Sequence, residues 1–184
     1  SAASDVYKRQ YYDNSKSSIV MDVTTKRVLY QNNIHERMLP ASTTKILTCI
    51  TAIEHYQLDD FVVINSDVLK TEGSSIYLEV GDVISIKDLL YGLMLCSGND
   101  AANALALHYS GNMQDFIFLM NETAKKIGMY DSTFENPHGL DTTTKNYTTT
   151  YDMALLMSYA MKNETFKTIT STKDYHTTII LSLI

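Results

Sequence analysis

The apolar pattern of this chain changes period once, and that change limits the folds open to it. In SIVMDVTTKRVLYQ, residues 18–31, two short β-branched runs flank a polar turn at Thr24–Arg27, the pattern of a β-hairpin. A loop ending in Pro40 follows, and the period then lengthens. In STTKILTCITAIEHY, Ile46, Leu47, Ile50 and Ile53 recur at three- and four-residue steps, one face of a helix, and Pro40 just upstream suits a helix start. Similar steps recur in Ile86, Leu89, Leu90, Leu93 and Met94, in Phe116, Ile117, Met120, Ala124 and Ile127, and in Met153, Leu156, Met157 and Ala160. The 184 residues suffice for one domain with a sizeable core. The reading is α/β, with an N-terminal hairpin leading into a mostly helical body.

Local signals punctuate this pattern. Ser85-Ile86-Lys87-Asp88 fits a capping box, and the helix that it starts ends at Ser97-Gly98. A second helix is expected from about Asp100 to Tyr109 and a third over 113–127, with Gly128 after its end. Thr149-Thr150-Tyr151-Asp152 is a further cap-like start. FVVI (61–64) is a short strand candidate, GSSIYLEVGD (73–82) a loop with an extended piece, and FENPHGLDTTTKNY (134–147) a turn-rich loop. The tripeptide SGN occurs twice. Gly111 of the second copy can end a helix in the left-handed conformation, and Asn112 can cap the next one, so that copy is a helix junction. On local sequence alone the first copy, Ser97-Gly98-Asn99, reads the same way.

Composition narrows the function. The net charge of −6 argues against nucleic acid as a partner. The five histidines show no metal-ligand spacing, so no metal is expected, and nothing in the chain calls for a cofactor. Two cysteines make no disulfide framework. No apolar run approaches the ~20 residues that span a bilayer. SAASDVYKRQ resembles translated adapter sequence, so residues 1–17 are expected to be a disordered or non-native leader ahead of a domain at 18–184. The terminal IILSLI stops without a cap or turn, and a cut at both ends is expected.

One short stretch carries chemistry. Ser42 and Lys45 of PASTTKILT lie three apart at a helix start, so the lysine stem can reach the hydroxyl. A serine hydroxyl needs a nearby base to become a nucleophile. Lysine serves as that base when burial or nearby positive charge lowers its pKa. The positive end of the helix dipole favours a developing alkoxide at Ser42. Cys49, a turn further on, reads as a small buried hydrophobe beneath the pair.

An S-x-x-K at a helix start, followed after a helical stretch by S-x-N in an interhelical turn, is the arrangement of penicillin-binding proteins and β-lactamases. PASTTKILTCITAIE, EGSSIYLEVGD, KDLLYGLMLCSGNDAA, FENPHGLD and TTYDMALLMSYA resemble, in the same order, the low-molecular-weight D-alanyl-D-alanine carboxypeptidases of the S11 serine peptidase family. The resemblance covers about residues 18–170. It implies a β-lactamase/transpeptidase-like fold, in which the hairpin belongs to an antiparallel sheet and the C-terminal sheet strands are missing. It implies that Ser42 attacks the penultimate D-Ala of a peptidoglycan stem peptide and carries the acyl group, with Lys45 as general base. Ser97 relays a proton to the leaving amine, and the Asn99 amide holds the substrate backbone. Gly98 is expected to supply the sharp turn that aims Ser97 and Asn99 into one cleft. β-Lactams are the implied covalent inhibitors. The implied place of action is the cell envelope, with membrane association only through segments outside this chain, which shows no signal peptide.

The family's third element, K-[ST]-G on a C-terminal sheet strand, is not in this sequence. Lys70-Thr71-Glu72 and Lys167-Thr168-Ile169 both lack the glycine. The sheet is therefore expected to hold two N-terminal strands with an unpaired edge, and the chain to be weakly active or inactive. The alternatives are a β-lactamase-related hydrolase and a non-catalytic penicillin- or peptidoglycan-binding module. S-G-N in place of S-D-N weighs against the first, and the intact Lys45 weighs against the second. Asn136-Pro137-His138-Gly139 reads as a turn built by proline and glycine, with His138 a polar turn residue.

Overall fold

The computed structural model describes residues 16–141, 145–171 and 178–183. Strand β1 (Ser17–Asp22) pairs antiparallel with β2 (Val28–Asn32), with a bulge between Val20 and Met21. The turn between them is held by Asp22, whose carboxylate accepts from the Thr25 amide at 2.7 Å and the Thr25 hydroxyl at 2.9 Å. β1 starts at Ser17, one residue before the expected boundary, and residues 1–15 of the expected leader lie outside the described residues.

The two-strand sheet is corrected. Strand β5 (Thr178–Leu183) pairs antiparallel with the other edge of β1, giving the order β2-β1-β5. Residues 178–183 of the terminal apolar segment form this strand, and their partner lies far away at the start of the chain. β1 is thereby central, and Ile19 and Met21 are fully buried against the helices. β3 (Phe61–Val63) and β4 (Val83–Ser85) form a separate antiparallel pair.

The helices follow the periodicity. A 3-10 turn at Ala41–Thr43 runs into α1 (Thr44–His55), and α2 (Ile86–Leu95), α3 (Asn99–Ser110), α4 (Met113–Ile127), α5 (Thr150–Ala160) and α6 (Glu164–Ile169) follow. The read caps form: Ser85 accepts from the Asp88 amide, Asn112 from the Gln114 amide and Thr149 from the Asp152 amide. Each such cap is worth about 1 kcal/mol.

α1 sets the position of the site. It is buried on two sides. Leu47 joins a core formed with β1, α4 and α5, while Cys49, Ile50 and Ala52 join a second core with α2, α3, α6 and β3. A fully buried leucine or isoleucine contributes about 1.5–3 kcal/mol, so α1 is firmly anchored on both sides. The residues at its N-terminus inherit that rigidity.

Candidate active site

Ser42 lies in the 3-10 turn and is exposed, while Lys45, in the first turn of α1, is only 5% exposed. The hydroxyl thus faces solvent and the amine is withdrawn. Burial pushes the Lys45 pKa below its ordinary value of 10.5. Cys49 is fully buried and its thiol is pushed up to about 12, so it is an inert core residue, as its spacing implied. Among the described residues no hydrogen bond joins Lys45 to Ser42 or Ser97. Such bonds commonly tighten only around substrate.

The 136–140 loop packs against this turn. Thr48 of α1 donates to the Pro137 carbonyl at 2.6 Å. Gly139 has φ +93°, and a Cβ there would overlap the Ala41 carbonyl, so only glycine fits. The Asn136 side chain accepts from the amides of His138 and Gly139, which is the turn read from sequence. The structure adds that this turn lies at the S-x-x-K motif. His138 is lowered to about 4, first by burial and second by the charge of Lys45. Its Nδ1 accepts from the Leu140 amide at 3.1 Å, so the ring is neutral at pH 7 with its proton on Nε2. Sequence reasoning missed His138 as a neighbour of Lys45, because no local signal records packing between distant segments.

The first SGN sits between α2 and α3. The turn is made differently from the expectation. Ser97 takes the left-handed conformation, φ +54°, whereas Gly98 is extended at φ −68°. At Gly98 the space is tight instead. A Cβ there would come within 3.0 Å of Asp100 Oδ1 and 3.1 Å of Ile76 Cγ2. Asn99 is buried, and its backbone amide donates to Ser74 O at 2.8 Å. Its side-chain amide donates to Glu72 O at 2.5 Å, and its Oδ1 is buried without a partner. An orphaned buried acceptor is costly, about 1–3 kcal/mol, and marks a place where a ligand donor or water fits.

Asp100, which the sequence reading passed over, locks the neighbouring loop. Its buried carboxylate accepts from Ser75 Oγ at 2.8 Å and from the amides of Ile76, Leu78 and Ala101 at 3.0, 3.0 and 2.9 Å. Burial alone would raise this carboxyl, but the four donors outweigh it and hold the pKa below its usual value. The EGSS segment is therefore fixed over the first SGN. The second SGN is a junction: Gly111 has φ +80°, Asn112 caps α4, and Ser110 Oγ donates to Asp115 at 2.7 Å.

A profile of the D-alanyl-D-alanine carboxypeptidase family, the S11 peptidases, matches residues 6–182. The chain is 37% identical over 169 residues to the D-alanyl-D-alanine carboxypeptidase DacF of Bacillus subtilis, covering 88% of this chain and 43% of that protein. Among solved structures it is similar to the D-alanyl-D-alanine carboxypeptidase DacD of Francisella tularensis, with TM-score 0.80, 37% identity, and coverage of 85% of this chain and 39% of that one. It is also similar to penicillin binding protein 6B of Escherichia coli, with TM-score 0.82, 30% identity, and coverage of 94% and 58%. The chain thus spans less than half the length of the curated relative, and over that span its fold is that of the penicillin-binding peptidases. It belongs to the S11 family of D-alanyl-D-alanine carboxypeptidases.

Proposed function

We propose that this chain carries the nucleophile half of a serine-type D-Ala-D-Ala carboxypeptidase site. The observation that supports this most is the pairing of an exposed Ser42 with a buried Lys45 whose pKa is lowered by desolvation. Ser42 Oγ attacks the carbonyl carbon of the penultimate D-Ala, and Lys45 takes the hydroxyl proton. The C–N bond breaks, Ser97 passes a proton to the leaving amine, and terminal D-Ala departs. Water then hydrolyses the ester on Ser42 and frees the shortened stem peptide. Asn99 holds the substrate backbone, its unpaired Oδ1 serving as acceptor. The substrate places this activity outside the cytoplasmic membrane, in the cell envelope. β-Lactams, which mimic the D-Ala-D-Ala terminus, acylate the same serine.

The 184 residues hold no K-[ST]-G. By resemblance to the family, the backbone beside K-[ST]-G supplies one oxyanion-hole donor, and loss of such a donor costs about 100–1000-fold in rate, so turnover by these 184 residues is expected to be weak or absent. The test is D-alanine release from a stem-peptide mimic. Any release is expected to be at least about 100-fold slower than that of a full-length relative, and to vanish in Ser42→Ala. Release that survives Ser42→Ala would overturn the assignment, and release at the relative's rate would overturn the need for the third element.

A further inference from the structure

Helix α3 runs from the first SGN to the second. Asn99, Asn103 and Leu107 recur every fourth residue and so share one face, a row about 12 Å long at 1.5 Å per residue. Beyond Asn99 this face lines a cleft of about 480 Å³ whose other lining residues include Met113, Pro137 and His138. That volume suits a small polar ligand, which typically fills about 300–1000 Å³. Ser42, Lys45, Ser97 and Asn99 do not line it. His138 lines it and also feels the charge of Lys45, so the cleft abuts the catalytic pair across one imidazole.

The cleft is built for hydrogen bonding without net charge. Asn103 is 4% exposed. Its Nδ2 donates to Val68 O at 3.2 Å, and its Oδ1 has no partner among the described residues. His138 offers Nε2–H, because its Nδ1 is engaged by the Leu140 amide. Asn112 spends its Oδ1 on the Gln114 amide and keeps its NH₂ for the cleft. At the rim Asp67 and Lys70 neutralise each other at 2.6 Å. Leu107, Met113 and Pro137 supply apolar surface. One unpaired acceptor on a mostly buried side chain, two donors and apolar walls match a neutral ligand that carries hydroxyls and an amide carbonyl.

We propose that this cleft binds an N-acetylated sugar of the glycan strand, at a site separate from the one that engages the reacting peptide terminus. The cellular source of that sugar rests on the peptidoglycan reading, whereas the binding itself does not. The test is a titration of the folded chain with tri-N-acetylchitotriose, followed by NMR of the side-chain amides. Saturable shifts are expected at Asn103 and Asn112, with maltotriose, which lacks the acetamido group, binding at least about tenfold more weakly. Leu107→Trp, and independently Met113→Trp at the half-exposed mouth, fill the cleft and lower affinity at least about tenfold in whichever variant retains the parent's thermal midpoint. Ser42→Ala binds as the parent does. Absence of saturable shifts at millimolar sugar, equal binding of maltotriose, or parental affinity in a folded tryptophan variant would overturn the proposal. Penicillin acylation of Ser42 is scored separately, so failure of the glycan site and failure of the peptidase reading are distinguishable.

Discussion

Lys45 lowers the stability of the fold that holds it. Its amine is buried, and among the described residues no carboxylate pairs with it. Its folded pKa lies below 10.5, so between the folded and unfolded values the unfolded chain binds more protons, and stability rises with pH in that window. Below the folded value the full cost of a buried charge is present. Lys45→Met is therefore expected to raise the thermal midpoint at pH 7, at about 2–4 °C per kcal/mol recovered, while acylation by penicillin falls at least about 100-fold. Calorimetry and labelling rates check both, and a variant that is less stable yet still acylated would contradict the role. Acylation by the parent is expected to rise with pH through a midpoint below 10.5, as the neutral amine forms. The placement of Ser42 and Lys45 together at a helix start was legible because three-residue spacing is local, whereas their proposed role came from the longer run of motifs around them. Asp100 and the placement of His138 were not legible, because their meaning lies in donors and charges from segments distant in sequence.

At the scale of elements, the site depends on a loop pressed onto a helix start. Gly139 lies against the Ala41 carbonyl, and Thr48 is bonded to Pro137. Gly139→Ala adds a Cβ where φ is +93° and where it overlaps that carbonyl. The unfavourable backbone costs more than about 1 kcal/mol, and the overlap displaces the turn that carries Ser42. The expected outcome is a lower thermal midpoint and slower acylation, with helical content kept by circular dichroism. Parental acylation in this variant would show that the 136–140 loop does not position the nucleophile. Caps and helix faces were readable at this scale because each is set within a turn or two of chain. The tripeptide alone did not tell the first SGN from the second, and only the longer resemblance of KDLLYGLMLCSGNDAA separated them. The difference lies in Asn99 and Asp100, which reach back to the EGSS segment.

At the scale of the whole molecule, α1 divides the core and presents Ser42 and Lys45 from its N-terminal end. The sheet was the least legible part. β5 pairs with β1 across almost the full sequence, and an apolar tail carries no sign of its partner. The fold class and most helix bounds were legible because amphipathic periodicity is dictated by burial along each helix. The central claim is that Ser42 and Lys45 are assembled for acylation without K-[ST]-G. The most direct test is the intact mass of the purified chain after incubation with penicillin, beside Ser42→Ala. A covalent adduct of one penicillin is expected, and it is lost in the mutant. No adduct on a chain shown to be folded, or an adduct that persists in Ser42→Ala, would contradict it.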